Sequence, residues 1–123
     1  MRNAVIIAAL FIAALPSARA ELFEIQWSAD GRFTHQGSIA SGKFVEVCGK
    51  LPAGVKVLWD FEAGAAVDFN VHYHAGKAVV FPVKLSAVSS GTDTLAVKID
   101  QDYCWMWTNK SAAAATLTVH LQR

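Results

Sequence analysis

From Val67 to His74 the chain alternates without a break. Val67, Phe69, Val71 and Tyr73 share one side, and Asp68, Asn70, His72 and His74 the other. A period of two places alternate side chains on opposite faces only in extended backbone, so this segment reads as a strand half-buried against a core. Val55 to Phe61 repeats the pattern, with Val55, Val57, Trp59 and Phe61 opposite Lys56 and Asp60. Further short segments read the same way over Phe23–Trp27, Arg32–Ser38, Lys43–Gly49, Lys77–Val83, Thr94–Ile99, Asp102–Thr108 and Thr116–Gln122. Between them stand turn formers: Ala29-Asp30-Gly31, Ser41-Gly42, Pro52-Ala53-Gly54, Ala75-Gly76 and Ser89-Ser90-Gly91. Pro82 marks its segment as an edge or a bulge. The run Ala112–Ala115 is too short to nucleate a helix. About eight short strands at this spacing predict an all-β, antiparallel β-sandwich of jelly-roll-like form.

The first twenty residues do not fit that pattern. Arg2 supplies a positive start, Ala4 to Leu15 form an unbroken apolar run, Pro16 ends it, and Ala18-Arg19-Ala20 gives small residues around a cleavage point. As a helix the run reaches about 18 Å, short of a hydrocarbon core of about 30 Å. Residues 1–20 therefore read as a cleaved signal peptide rather than an uncleaved anchor, and residues 21–123 as one exported domain, periplasmic or extracellular. Without Arg2 and Arg19 the eleven basic residues fall to nine against ten acidic ones. So balanced a chain lacks the basic footprint of a nucleic-acid binder. No later stretch is long and apolar enough for a transmembrane span. Export also bears on Cys48 and Cys104, which read as a disulfide, the alternative being two free thiols, buried or on a metal.

Motifs for catalysis are missing: there is no Gly-x-Ser-x-Gly, no phosphate-binding glycine loop, no His-Glu-x-x-His and no Cys-x-x-Cys. A hydrolase or isomerase using His72 or His74 as base has no orienting carboxylate by spacing. The chain therefore reads as a binding module and not as an enzyme. Two segments carry its candidate sites. His72 and His74 lie two apart on one strand face, about 6.5–7 Å from each other, close enough for both rings to reach one ion. With Met106 as a soft third ligand they suit copper or zinc; the bland alternative is a solvated polar stripe. In Tyr103-Cys104-Trp105-Met106-Trp107, alternation separates the three aromatics from Cys104 and Met106. If Cys104 points inward, Tyr103, Trp105 and Trp107 form an exposed stripe suited to a protein or lipid partner. If the tryptophans point inward, the stripe is core. Asn109-Lys110-Ser111 matches the N-glycosylation pattern, a weak signal.

From Gly49 to Arg123 the order of these motifs resembles the Golgi-dynamics (GOLD) domain, a β-sandwich. The carrying residues are Gly54-Val55 through Trp59-Asp60-Phe61, then Val67, Phe69 and Val71, then Asp102-Tyr103-Cys104-Trp105, and finally Thr116 to Leu121. The resemblance implies the sandwich fold, a habit of binding proteins or lipids, and a disulfide whose second cysteine follows the tyrosine, as Cys104 does, with Cys48 as partner. GOLD cargo receptors continue into a coiled coil, a membrane span and a sorting tail. This sequence stops after its last strand, so a role in coat sorting is not implied. VDFNVHYH and DQDYCWMWTNKS look closer to stand-alone, secreted bacterial versions.

Overall fold

The computed structural model describes residues 20–123, so the signal-peptide reading of 1–20 lies almost wholly outside the described residues. Seven strands follow in order: β1 (Glu21–Glu24), β2 (Arg32–Ile39), β3 (Phe44–Leu51), β4 (Lys56–Ala75), β5 (Ala78–Ala96), β6 (Gln101–Thr108) and β7 (Ala115–Gln122). They form one curled sheet in the order β1-β3-β6-β4-β7-β2, with β5 on the remaining side of β4. The all-β, sandwich-like fold is the one the alternation called for. Two details differ from the sequence reading. β1 runs parallel to β3, so the sheet is mixed. Four of the short strands are fused into two long ones, β4 and β5.

β4 is what closes the sheet on itself. Its first half, Leu58 to Ala63, pairs with β7, and its second half, Asp68 to His72, pairs with β6. β5 runs antiparallel along the whole of it, from Lys56 opposite Ala96 to Ala75 opposite Ala78. Along β5 the register jumps between Glu62 and Val67: the four residues Ala63 to Ala66 span a single β5 residue, Ser89, between Ser90 and Val88. Such a bulge bends a strand out of one layer into another. Small residues make the corner possible, since a Cβ on Gly64 would lie 2.5 Å from Thr116 Oγ1. On β5 the bend places Ala87 at φ 52, and the Asp68 carboxylate accepts the Ala87 N–H at 3.0 Å. Ser89-Ser90-Gly91, read as a turn, lies within this bent strand. The hairpin itself turns on Gly76 and Lys77, with Gly76 at φ +60, the left-handed residue a two-residue loop needs.

The bend lays the two halves of β4 face to face, and the core fills the space between them. Trp59 and Phe61 from the first half meet Phe69 from the second, at ring separations of 4.9 and 4.7 Å. Trp107 of β6 closes the group against Phe61 and Phe69. Val45, Val47 and Val71 continue one wall, and Leu117, Val119 and Leu121 the other. Gly91 stands opposite Phe61 and leaves room for its ring, because a Cβ there would come within 2.8 Å of Phe61 Cε1.

This packing corrects the exposed aromatic stripe. Tyr103, Trp105 and Trp107 are 2%, 0% and 0% exposed. The cause is register: β6 lies between β3 and β4, with Trp105 level with Val47 and Val71, and Trp107 level with Val45 and Phe69. All six point into the core. Tyr103 serves a structural end, its hydroxyl donating to the Ile99 carbonyl at 2.9 Å and fixing the link before β6. Cys104 and Met106 therefore take the outer face, and no helix among the described residues is long and apolar enough to cross a membrane.

Candidate functional site

The outer face of β1, β3, β6 and β4 is where the remaining sequence candidates meet. Register sets out its rows. Glu24 lies level with Cys48, Cys48 with Cys104, and Cys104 with His72. In the adjacent row Leu22 is level with Glu46, Glu46 with Met106, and Met106 with Asn70. Cys48 and Cys104 are joined as a disulfide between neighbouring strands, with Cα atoms 4.1 Å apart. The pairing expected from the sequence is thus present, but on the outer face of one layer rather than within the sandwich.

His72 is the centre of this face. It belongs to the polar side of β4 yet is buried, which alternation alone does not produce. Its Nε2 lies 3.1 Å from Glu46 Oε1, reaching over the whole width of β6, and its Nδ1 lies 2.7 Å from the Asn70 side-chain oxygen. His74, exposed at the end of β4, stands edge-on to it with ring centres 5.4 Å apart, and Phe81 of β5 flanks it at 5.9 Å. The structure thus brings His72 beside His74, and register puts Met106 on the same face, one row from His72. Glu46 is the member of this cluster that sequence reasoning missed. Alternation in Phe44–Lys50 does set it opposite Val45 and Val47, but nothing in the sequence gives the register that carries it to His72.

Burial holds the His72 pKa below its ordinary value of 6.5; the Glu46 carboxylate acts against this, and His74 adds to it. The neutral ring has one N–H. Given to Glu46, it leaves Nδ1 as an acceptor, which the Asn70 amide serves when turned end for end; given to the Asn70 oxygen, it frees Nε2. His35, packed against Phe23 at 4.4 Å, is held low in the same way, by burial against the opposing Glu21 charge. A histidine lowered on folding binds more protons in the unfolded chain. The stability it contributes is therefore present above 6.5 and lost as pH falls through the folded value. We expect the urea midpoint to hold level above about pH 7 and to fall on acidification below 6.5. A shallower fall is expected in His72→Asn, and an identical slope in both proteins would exclude this origin.

Two other surfaces bear on function. Among the described residues β5 has β4 as its one strand partner, and its first residues leave Val79, Val80 and Phe81 at 42%, 37% and 43% exposure. Around Cys48 a shallow depression of about 400 Å³ is lined by Leu22, Glu24, Ile25, Trp27 and Lys50 among others. Asn109, by contrast, is closed to a glycan: it is fully buried, and its amide N–H groups donate to the Ile39 and Ala113 carbonyls at 2.9 and 2.8 Å.

No protein-family model matches the chain, and no curated protein matches it. Solved structures do share its fold. PliG of Aeromonas hydrophila, a periplasmic inhibitor of g-type lysozyme, aligns with a TM-score of 0.58 at 14% identity, over 85% of this chain and 96% of its own. PliG of Salmonella Typhimurium aligns at 0.56 and 10% identity, over 84% and 97%. The pre-peptidase C-terminal domain of a Bacillus anthracis collagenase aligns at 0.57 and 9% identity, over 84% and 96%. At these identities the likeness is one of fold, that of a β-sandwich.

Proposed function

We propose that the chain is an exported, non-catalytic binding module that takes an extended segment of a protein partner along β5. The observation behind this reading is the exposed apolar edge. Ala78 to Phe81 carry no charge, and among the described residues no strand pairs with the outer side of their backbone. Natural edge strands are kept from pairing by charges, prolines or covering loops; here Lys77 on one side and Pro82 and Lys84 on the other flank a four-residue stretch that has none of these within it. A partner strand would gain backbone hydrogen bonds from the edge and apolar contacts from Val79 and Phe81. The PliG inhibitors give a precedent for a protein partner on this fold, and the GOLD-like motif order points to protein or lipid partners. The disulfide supports export. The direct test is binding to a g-type lysozyme, followed by selection from a display library of extended peptides. Capture is expected for the wild type and loss of it in Val79→Lys/Phe81→Lys. Equal capture by both proteins would remove β5 as the site.

A second reading rests on the 5.4 Å approach of the His72 and His74 rings, with Met106 on the same face. These three residues are the set for a copper or zinc ion on the oxidised protein. Titration with either ion is expected to show binding that disappears in His72→Ala/His74→Ala.

A further inference from the structure

We propose that the Cys48–Cys104 disulfide is the closed form of a redox-gated metal site. On reduction, the two thiolates join His72 and Glu46 as four ligands for zinc, or for copper(I). Among the described residues, the ligand atoms of Glu46, His72 and Cys104 lie within 4.8 Å of one another. Cys48 sits directly across from Cys104 on the same face. Two sulfurs, one imidazole and one carboxylate match the tetrahedral donor sets that zinc prefers, and soft sulfur ligands also suit copper(I). Tetrahedral bonds of about 2.3 Å to each sulfur would set the sulfurs about 3.8 Å apart. Side-chain rotation on two neighbouring strands can supply that separation without breaking their pairing.

The group that orients His72 is already in place. Metal ligation needs Nε2 of His72 without its proton, and the Asn70 oxygen 2.7 Å from Nδ1 accepts that ring's one N–H from the other side. In that tautomer the ring is neutral and Nε2 is bare toward the ion. Glu46, now 3.1 Å from His72 Nε2, turns its carboxylate to face the ion.

An external dithiol is the reductant class the step requires. One of its thiolates attacks Cys48 Sγ, the S–S bond breaks, and Cys104 leaves as a thiolate. The second dithiol sulfur then displaces Cys48, and the dithiol departs as its own disulfide. Two electrons pass to the protein sulfurs, and the two protons released by the dithiol can rest on them as thiols. A divalent ion then displaces both thiol protons to solvent. The depression lined by Cys48 and Leu22 gives the reductant its approach.

This proposal is independent of a partner on β5, and it differs from the oxidised copper or zinc reading in its ligands. The test is a cobalt(II) titration of the exported chain, oxidised and then reduced, with excess dithiol removed under anaerobic conditions. The reduced protein is expected to take one cobalt per chain, with a thiolate-to-cobalt charge-transfer band in the near ultraviolet that zinc abolishes. The oxidised protein is expected to show no such band. His72→Ala and Glu46→Gln are each expected to weaken binding at least tenfold, whereas His74→Ala keeps the band. Loss of all binding in His74→Ala would instead mark a site on the two histidines. Should reduction unfold the chain, added zinc is expected to restore its cooperative melting, and Cys48→Ser/Cys104→Ser is expected to gain nothing from zinc. No charge-transfer band, a band indifferent to His72 and Glu46, or a reduced chain that zinc leaves unfolded would each overturn the proposal.

Discussion

Trp107→Ala is expected to lower the unfolding free energy by about 3–5 kcal/mol, the range for removing a large aromatic from a core. Trp107 is fully buried and touches Phe61 edge-on at 5.7 Å and Phe69 face-on at 5.4 Å. It therefore joins the two layers that the bend in β4 brings together. Its indole N–H has no hydrogen-bond partner, and the same holds for Trp59 and Trp105. The residue is thus held by packing and not by a polar contact. Trp107→Phe keeps most of the ring contact and removes the unpaired donor, so it should cost much less than the alanine variant. Had Trp107 been on the surface, either change would stay within about 0.5 kcal/mol. Urea unfolding of the three proteins decides the matter. Equal midpoints for wild type and Trp107→Ala would mean the aromatic group is not the core.

Removing the disulfide is the second large effect. Cys48 and Cys104 are 56 residues apart, and closing a loop of that length stabilises by about 4 kcal/mol in the chain-entropy account. For a domain of this size, that corresponds to a fall of roughly 16–32 °C in melting temperature. The loop contains all of β4 and β5, so the crosslink restrains the part of the chain with the most conformations to lose. Cys48→Ala/Cys104→Ala, compared by calorimetry with the oxidised wild type, should show this loss at neutral pH. Coincident melting curves would mean that the strand pairing of β3 and β6 already supplies the restraint.

Strand positions were legible because the inward residues of β4 and β7 are large and apolar and their neighbours, Leu58 apart, mostly polar or small. Val57, Trp59, Phe61, Val67, Phe69 and Val71 announce their face in the sequence, and the structure buries every one of them. The bend was not legible. Ala63-Gly64-Ala65-Ala66 reads as a break between strands, and only the register with Ser89 and Val88 shows a bulge within one strand. In β6 every residue from Tyr103 to Trp107 is apolar, so the pattern gave two faces without saying which was inside. The answer came from Val47 and Val71 on the strands beside it, a long-range fact. His72 was visible as a candidate by its type and spacing. Its partner Glu46 was not, because the two are 26 positions apart on strands separated by a third.

The placement of β2 sets the order in which a growing chain can finish. β4 and β5 need only their own two-residue loop to begin zipping together, and that pairing can start once β5 has emerged. Among the described residues β2 pairs with β7 alone, with Arg32 opposite Gln122 and Ile39 opposite Ala115. At a synthesis rate of about 5–20 residues per second, β2 waits roughly 4–16 s for those roughly eighty residues to follow. Phe33 and Ile39 have no wall to rest on in that interval. β7, the last of these strands to appear, therefore completes both β2 and the first half of β4, and it seals the layer they share.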